Sequence, residues 1–505
     1  MKPTCLLQLA AAAGWSLAAG SLCGQTFNVV LANQLGDYYA EGHAVKCLPD
    51  GYLVFGNQQE QLTLDHDIMI TKFDLAGNMV WQMNHSEPGD QRLPQTTAAV
   101  AAPNGTGYLV AVNTYSGNAT GDTVRLVKYN TQGDTLWTSL VWADSFAYGR
   151  SVFTDGVHIC VTGRFIDGFP QPNPDRSFIV RLDTSGVVLD RYRIQKIVVY
   201  AGNVGLDDAF YAIGMGQLPS LSPVSDYLMK FDSTGVDQWA YMFPGPFAPW
   251  FTVLPLSNGT VLCLGRWDDA LGPAPNGSYM LAVDTGGTFA WDYRGEPGHW
   301  DSEETMFTDA FQDSDTTFIA CASVQRNFWV KALIYRFSLD GDSLWRREYS
   351  HFNSGMVHAP EVPWDIEPAL DGGIVLTGEV KESANLATRY LWLLKLDSLG
   401  CLVPGCQYVG LQEQLIGLEG ALQVAPNPSA GRFNLQLEMP AAVEVQGDLL
   451  LQVFDPRGRL VVRRVLGRQL EQTVALDLSG EPPGVYNAHI TDEKRMLTGV
   501  RLVVE

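Results

Sequence analysis

The chain repeats an aspartate followed three residues later by glycine, and carboxylates arranged in a ring can hold a metal ion or orient a substrate. The stretch DIMITKFDLAGNMVW, residues 67–81, contains the complete pattern as Asp74, Gly77 and Trp81. Six further copies follow it: Asn130, Gly133 and Trp137; Asp183, Gly186 and Asp190; Asp232, Gly235 and Trp239; Asp284, Gly287 and Trp291; Ser338, Gly341 and Trp345; Asp397, Gly400 and Pro404. A metal or substrate site shared by these residues would require their side chains to converge on one point.

Two interpretations of this turn are open. In the first, the carboxylates form one site for a metal or substrate. In the second, aspartate caps its own turn, glycine adopts a positive φ and tryptophan packs between neighbouring repeats. The second is favoured because Asn130 and Ser338 replace aspartate, and because copies on separate strand-to-strand turns cannot meet at one point. We therefore predict that the repeated turn is structural.

Other candidate binding residues lie between the repeats. The acidic loop 300–315, together with WDD at 267–269, is either a calcium or cationic-ligand site or a solvated loop. The aromatic segments 241–251 and 163–174 either stack on a sugar or cover a strand edge. Calcium is the only cofactor that these loop residues suggest, and no cofactor and no metal ligand is predicted.

Sequence signatures of catalysis are missing. The chain contains no HExxH, no GxSxG, no glycine-rich loop ending in Gly-Lys and no EF-hand series. His351 and His358, in HFNSGMVH, are the nearest approach to a histidine cluster, and we expect them to be solvated. No catalytic residue is predicted, and the ligand-binding residues are unknown at this stage.

The elements that carry these residues are short strands at a regular period. The repeated glycines are spaced by 56, 53, 49, 52, 54 and 59 residues, which is typical of a repeat architecture. A turn dipeptide and a short apolar run, as in DGYLVFG and DGGIVLTG, come before each glycine. Several strands are apolar at consecutive positions, so both of their faces should be buried. The sequence predicts an all-β fold in which residues 25–410 form a seven-bladed β-propeller.

The two ends of the repeat array indicate how the ring closes. TFNVVLAN, residues 26–33, precedes the first complete repeat at the place of an outer strand, and the seventh repeat has Pro404 instead of tryptophan. We predict that the N-terminal strand pairs in the last blade and so removes an open sheet edge.

Composition and charge restrict the location and the partners. The formal charge of −22 opposes binding to nucleic acid. Residues 1–24 have the form of a secretory signal peptide, and Cys23 is an alternative lipidation site. No run of eighteen apolar residues follows, so no transmembrane segment is expected. Cys401 and Cys406 lie close together in GCLVPGC, which suggests a disulfide in an exported protein.

A different module follows the repeats. Residues 411–421 are predicted to be a linker, and residues 422–505 contain alternating strands with turn residues between them. This pattern predicts a small antiparallel β-sandwich of the immunoglobulin-like type.

The repeats resemble propeller repeats that share Asp-x-x-Gly-x-x-x-Trp, notably the quinoprotein-type repeats with Trp-docking motifs and, more loosely, the Asp-box of sialidases. Similarity to quinoprotein enzymes implies a quinone, calcium and a vicinal disulfide, but no two cysteines are adjacent in this chain. The resemblance therefore supports the fold and says little about activity.

The C-terminal module resembles the type A C-terminal sorting domain of the type IX secretion system. The matching residues are Pro426, Asn427, Pro428, Gly431, Phe433, Asp455, Gly458, Arg459, Gly484, Val485 and Tyr486. The resemblance implies export across the inner membrane by the signal peptide. It also implies passage through the outer membrane by the type IX machinery, followed by release or attachment at the cell surface.

Two functions are compatible with these observations. The first is a secreted or cell-surface binding protein without catalytic activity, whose extracellular ligand, a glycan or a protein, is unknown. The second is an enzyme that acts on extracellular glycans or another polymer, with carboxylates from different blades at the mouth of the central channel. The first is favoured because no catalytic signature is found and propellers bind through loops on one face. Carboxylates that converge at a channel mouth would favour the second.

Overall fold

The structure is a computed structural model of the chain. It describes residues 25–31, 39–59, 66–87, 89–95, 97–103, 105–115, 121–143, 147–165, 176–194, 197–216, 225–243, 250–267, 277–297, 305–326, 329–351, 360–381, 388–403, 406, 421–439, 447–455, 459–492 and 496–505. The predicted signal peptide, most of the predicted linker, Pro404, His358 and Gly458 lie outside these residues. The described residues form β-strands and no α-helix, so the predicted all-β class is confirmed.

The first 29 strands form seven successive units of antiparallel strands. Unit 1 contains β2 (Tyr39–Leu48), β3 (Gly51–Gln59), β4 (His66–Asp74) and β5 (Met79–His85). Unit 2 contains β6 (Asp90–Arg92), β7 (Ala99–Ala101), β8 (Tyr108–Tyr115), β9 (Thr123–Tyr129) and β10 (Thr135–Ala143). Unit 3 contains β11 (Tyr148–Thr154), β12 (Ile159–Phe165), β13 (Arg176–Leu182) and β14 (Val188–Ile194).

The next three units have the same order. Unit 4 contains β15 (Ile197–Val204), β16 (Phe210–Gly216), β17 (Ser225–Phe231) and β18 (Asp237–Met242). Unit 5 contains β19 (Trp250–Pro255), β20 (Thr260–Trp267), β21 (Gly277–Asp284) and β22 (Phe289–Pro297). Unit 6 contains β23 (Met306–Gln312), β24 (Thr317–Arg326), β25 (Trp329–Ser338) and β26 (Ser343–Tyr349).

Unit 7 takes its fourth strand from the start of the chain. Its own strands are β27 (Glu361–Pro368), β28 (Ile374–Lys381) and β29 (Arg389–Leu396), and β1 (Phe27–Leu31) pairs antiparallel with β29. The predicted pairing of the N-terminal strand is thus confirmed. Units 1 and 7 also meet through a parallel pair between Tyr39 and Arg389.

Each unit packs on the next through a shared apolar core. Between units 1 and 2, for example, Leu53 and Phe55 belong to one core with Val110. The last interface joins unit 7 to unit 1, where Leu391 and Leu393 share a core with apolar residues of β3 and β4. The inner strands are buried on both faces because a unit covers each side of them, whereas an outer strand such as β10 alternates between exposed and partly buried residues near its start.

The C-terminal module consists of two antiparallel sheets around one core. The first sheet has the order β30 (Leu422–Ala425), β31 (Arg432–Glu438), β34 (Glu471–Asp477). The second has the order β33 (Leu460–Gly467), β32 (Leu449–Phe454), β35 (Gly484–Thr491), β36 (Met496–Val504). Alternating residues of β31, which follow a strict exposed–buried pattern, meet side chains of β32 and β35 in this core.

Candidate functional site

The repeated aspartates bond within their own turns. Asp74 Oδ1 accepts hydrogen bonds from the backbone N–H groups of Ala76, at 2.9 Å, and Asn78, at 2.8 Å, while Gly77 has a φ of 83°. The same side-chain bonds occur at Asp183, Asp232, Asp284 and Asp397. Among the described residues, no three His, Cys, Asp or Glu side chains are grouped as a metal site. The geometry is that of a capped turn.

An aromatic ring of one unit covers the turn glycine of the next unit. A Cβ atom built on Gly133 would lie 2.8 Å from Trp81, and one on Gly341 would lie 2.6 Å from Trp291. The other pairs of this kind are Trp137 with Gly186, Tyr192 with Gly235, Trp239 with Gly287, Trp345 with Gly400, and Phe27 with Gly77. The repeated aromatic residue and glycine therefore form one contact between units.

Two members of this series differ from the expected alignment. In unit 3 the ring belongs to Tyr192, not to position 190, where Asp190 instead pairs with Arg181. Unit 7 has no tryptophan for the contact, and Phe27 of β1 supplies the ring over Gly77. The N-terminal strand thus contributes both backbone pairing and the aromatic contact.

The first strands of the units lie side by side and carry a bulge at equivalent positions. In six of the seven units, the pairing with the second strand shifts by one residue near the start of the first strand. The residues at the shifts are His43, Arg150, Tyr200, Phe251, Thr308 and Trp364, which we call the bulge ring. In unit 2 the gap between β6 and β7 takes the place of the bulge.

One side of the bulge ring is aromatic. The His43 and Trp364 rings are stacked with their centroids 6.3 Å apart, and Phe251 lies 6.4 Å from Trp364. Met306 and Val330 share the apolar core with Trp364. Trp364 is 6% exposed, and its indole N–H has no hydrogen-bond partner in the part of the chain that the structure describes.

The opposite side combines arginine with tyrosine. Arg150 Cζ lies 4.5 Å from the ring centroid of Tyr148 and 5.8 Å from that of Tyr200. Arg164 Cζ lies 5.8 Å from the ring centroid of Tyr148, and the ring centroids of Tyr115 and Tyr148 are 6.1 Å apart. Burial lowers the pKa of Arg150, and the nearby charge of Arg164 lowers it further. We call these five residues the arginine–tyrosine patch.

A buried network of charged residues joins units 1 and 7. Arg389 Nη1 lies 2.6 Å from Glu379 Oε2 and 3.0 Å from Glu41 Oε2. Glu41 also accepts a hydrogen bond from the Tyr39 hydroxyl at 2.8 Å and lies 2.8 Å from His43 Nε2. Both carboxylates are almost fully buried. This network brings together acidic groups from strands far apart in sequence.

The two carboxyl groups of the network have opposite pKa shifts. Burial, together with the adjacent Glu41 charge, raises the pKa of Glu379 to about 7. Burial also acts to raise the pKa of Glu41, but the charge and hydrogen bond of His43 outweigh it and hold this pKa well below its usual range. Below neutral pH the pair therefore contains a protonated Glu379 and an ionised Glu41.

A second acidic cluster lies further along the same strands. Lys46 is ion-paired with Glu367 and lies 3.8 Å from Asp365. Asp365 accepts a hydrogen bond from the Val45 amide at 2.7 Å, and Asp309 accepts one from the Ile366 amide at 3.2 Å. Burial and the charge of Asp365 raise the pKa of Asp309 well above its usual range. These bonds tie the first strands of units 1, 6 and 7 together.

The loop segments proposed from the sequence contribute less to the candidate site than the first strands do. Within the predicted acidic loop, residues 306–312 form β23 instead of a loop. Residues 300–304 lie outside the described residues. In the segment 163–174, Phe165 packs on Trp142 at 4.9 Å and so belongs to a core. His351 lies 3.1 Å from the Asn28 side chain, which is contact with β1 and not solvation alone.

The cysteines suggested as a pair are bonded in the structure. Cys401 and Cys406 form a disulfide just after β29. Cys160, Cys263 and Cys321 are free and buried among apolar residues.

The motif residues near the start of the C-terminal module connect it to its last strand. Pro426 and Pro428 each follow a cis peptide bond. Between them, the Asn427 side chain donates to the Arg501 carbonyl at 2.8 Å and accepts from the Val503 amide at 2.8 Å. Gly431, with a φ of 90°, approaches the backbone of Ser479 so closely that a Cβ atom would lie 2.6 Å from its Cα.

The remaining motif residues support the core and turns of the module. Phe433 is buried between the sheets. Asp455 accepts a hydrogen bond from the Arg459 amide at 2.8 Å and pairs with its guanidinium at 3.1 Å. Gly484 and Val485 begin β35, and the buried Tyr486 donates its hydroxyl hydrogen bond to the Pro482 carbonyl at 2.7 Å. All of these contacts are internal to the module.

The functional residues that sequence reasoning missed are in the first strands. Glu41, His43, Arg150 and Trp364 belong to no local motif. The available signal was a charged or polar residue within a largely apolar strand, as in YAEGHAVKCL of β2. In the described part of the chain, no helix is both long and apolar enough to cross a membrane.

Comparison with solved structures found similar chains of low sequence identity. The β-propeller domain of the Trilobed protease from Pyrococcus furiosus is 10% identical with a TM-score of 0.42, covering 72% of this chain and 96% of that one. Uncomplexed Pyrococcus horikoshii acylaminoacyl peptidase is 10% identical with a TM-score of 0.41, covering 81% and 59%. Cobalt-substituted Synechocystis ACO is 11% identical with a TM-score of 0.39, covering 68% and 77%.

Comparison with curated protein sequences gave no match. Comparison with protein families matched residues 423–505 to the secretion system C-terminal sorting domain. This match covers the two-sheet module and includes the residues whose contacts are described above. Residues 423–505 are therefore a C-terminal sorting domain of the type IX secretion system.

Proposed function

We propose that residues 25–410 form a seven-bladed β-propeller and that residues 422–505 form an immunoglobulin-like sandwich. The seven units, the shared core between units 7 and 1 and the contact of Phe27 with Gly77 support a closed ring. In such a ring the first strands line the central channel. The bulge ring and the arginine–tyrosine patch then lie near the channel mouth opposite the Asp-x-x-Gly turns, because the bulges are near the starts of these strands.

The protein is exported through the type IX secretion system and acts outside the cell or at its surface. The sorting domain supports this route. Deleting residues 422–505 should leave the rest of the chain folded but retained in the periplasm. Fractionation of cells, with limited proteolysis as the test of folding, checks this expectation. Normal surface delivery of the shortened chain would contradict it.

The propeller acts as a non-catalytic binding module whose ligand enters the channel mouth. The observation that carries this proposal is the bulge ring, because within the described residues Arg150 has no carboxylate partner and the indole N–H of Trp364, on the opposite side of the ring, has no hydrogen-bond partner. Buried polar groups without partners are uncommon in a structural interior and are typical of ligand sites.

A glycan and polysaccharide array probed with the full chain tests this function, with product analysis on each ligand that binds. Retention without turnover supports a binding module. A variant with Trp364→Phe removes the indole N–H but keeps the ring, and it should bind the same ligand more weakly. Turnover of a bound glycan would overthrow the non-catalytic assignment.

A glycan- or polymer-active enzyme is the second candidate, and one observation favours it. Glu379 and Glu41 combine a raised and a lowered pKa, as an acid and an ionised partner do in hydrolytic sites. The first candidate is preferred because Glu41 is already bonded to Arg389, Tyr39 and His43, and Glu379 is bonded to Arg389. Loss of turnover in Glu379→Gln, with unchanged binding, would establish the second.

A further inference from the structure

We propose that the arginine–tyrosine patch binds an oxyanion, the carboxylate or sulfate group of an acidic sugar. The inference rests on the proposed binding function and names the chemistry of its ligand. It is drawn from the charge, burial and position of Arg150.

Arg150 forms no ion pair with any residue that the structure describes. Its Nε is buried and has no hydrogen-bond partner among the described residues, and its ring contacts are with Tyr148 and Tyr200. Ring faces attract a cation but do not satisfy its N–H donors, since a guanidinium has five of them in one plane. Arg150 therefore keeps its Nε–H donor without a partner in the described part of the chain.

The charges around Arg150 also favour the binding of an anion. Arg164 contributes a second positive charge next to the same Tyr148 ring. The whole protein is strongly acidic, with a formal charge of −22. Carboxylates are therefore in excess over the cations that could pair with them. Leaving the buried Nε of a half-buried arginine unpaired is unfavourable, and an incoming anion would relieve that cost.

The position suits a ligand that enters from outside. Tyr148 pairs with Arg164 at the start of β11 and the end of β12, and Tyr115 ends β8. These strand ends lie at the edge opposite the Asp-x-x-Gly turns. A planar carboxylate or a sulfate can accept two N–H bonds from a guanidinium, and the tyrosine rings offer apolar surface and hydroxyl groups to an attached sugar.

The test measures binding of sodium glucuronate, glucose 6-sulfate and neutral glucose to the full chain by isothermal titration calorimetry, at equal ionic strength. The probes separate a carboxylate from a sulfate and both from the sugar itself. We compare the parent with Arg150→Met, which keeps the apolar stem but removes the charge. The matched control is Arg347→Met, because Arg347 also stacks on an aromatic ring, Trp345 at 5.2 Å, but lies in an outer strand.

At least one anion should bind the parent and Arg347→Met, and Arg150→Met should bind it at least about tenfold more weakly. Thermal unfolding without ligand should show Arg150→Met to be as stable as the parent, because the variant removes an uncompensated charge. If it fails to fold, Arg164→Met serves as the second variant, with the same weakening expected.

Equal binding of the anion by parent and Arg150→Met would overturn the inference, and so would the failure of both anions to bind the parent. Neutral glycans retained on the array would in that case leave the binding function standing. Loss of all retention on the array would instead remove the binding function itself.

Discussion

Phe27 in the N-terminal strand lies with its ring over Gly77, where an added Cβ atom would come within 2.7 Å of the Phe27 Cγ. The two residues belong to units 7 and 1, and each other unit makes the same kind of contact with a ring of its own. The contact between units therefore requires glycine for two reasons. The turn has a positive φ, and the ring leaves no space for a side chain.

Replacing Gly77 by alanine should destabilise the protein more than the backbone conformation alone explains. Gly259 provides the matched control, since its φ is also 83° and an added Cβ atom would meet nothing within 4 Å. We expect Gly259→Ala to lower the free energy of unfolding by about 1 kcal/mol and Gly77→Ala by roughly 2–4 kcal/mol. Urea unfolding followed by tryptophan fluorescence measures both, and equal losses would argue against the ring contact.

Replacing Phe27 by alanine tests the same contact from the other side. Phe27 is 8% exposed and lies in the core between units 7 and 1, so Phe27→Ala should cost about 3 kcal/mol of unfolding free energy. Phe27→Trp introduces the ring that most other units use and should be tolerated far better. The prediction fails if the two variants have the same midpoint in urea.

Neutral substitutions of Glu41 and Glu379 should lower the free energy of unfolding by different amounts. Glu41 is ionised and paired, so Glu41→Gln should cost roughly 3 kcal/mol or more at pH 6. Glu379 has its pKa raised to about 7 and is protonated at pH 6, so Glu379→Gln should cost much less there.

The pH dependence of the Glu379 contribution follows from the sign of its pKa shift. A carboxyl group whose pKa is higher in the folded state contributes stability at low pH and loses it as the pH rises from 4.5 through 7. Glu379→Gln should therefore reduce the loss of stability over this interval. Urea unfolding of parent and variant at several pH values measures this difference. If the unfolding free energies of the two proteins change with pH in parallel, Glu379 is ionised throughout the interval.

His489 in the sorting domain should make that domain sensitive to acid. It is 1% exposed, neither ring nitrogen has a hydrogen-bond partner among the described residues, and burial lowers its pKa to about 4. A histidine with a lowered folded-state pKa contributes full stability above about pH 6.5 and loses it as the pH falls towards 4, by up to about 3 kcal/mol.

His489→Leu should remove this loss while leaving the domain folded at pH 7. Because the sorting domain contains no tryptophan, pulse proteolysis in urea with detection of the C-terminal fragment is the suitable measurement. A parent domain that is as stable at pH 4.5 as at pH 7.5 would contradict the prediction.

Local repetition explains why the strand order and the pairing of β1 with β29 could be predicted. The turn, the apolar run and the aromatic residue recur, and a missing tryptophan in unit 7 pointed to the start of the chain. Spacing alone aligned Asp190 with the tryptophans and missed the ring of unit 3, because residues 190 and 192 point to the same side of β14 and the contact is made by Tyr192.

The candidate sites were much less accessible to sequence reasoning. The bulges that select His43, Arg150 and Trp364 shift the pairing by one residue and leave no local pattern. The Glu41–Arg389–Glu379 network joins strands at opposite ends of the repeat array, so only the closed arrangement of units brings them together.

The pairing of β1 with β29 also fixes the point in biosynthesis at which the molecule can be completed. Asn28 accepts a hydrogen bond from the Trp392 indole at 2.7 Å across 364 residues of chain. β1 can therefore pair only after β29 has been synthesised, and any chain that stops before residue 389 leaves β1 and β28 with an unpaired edge. In the full-length chain one strand, β29, covers both of these edges.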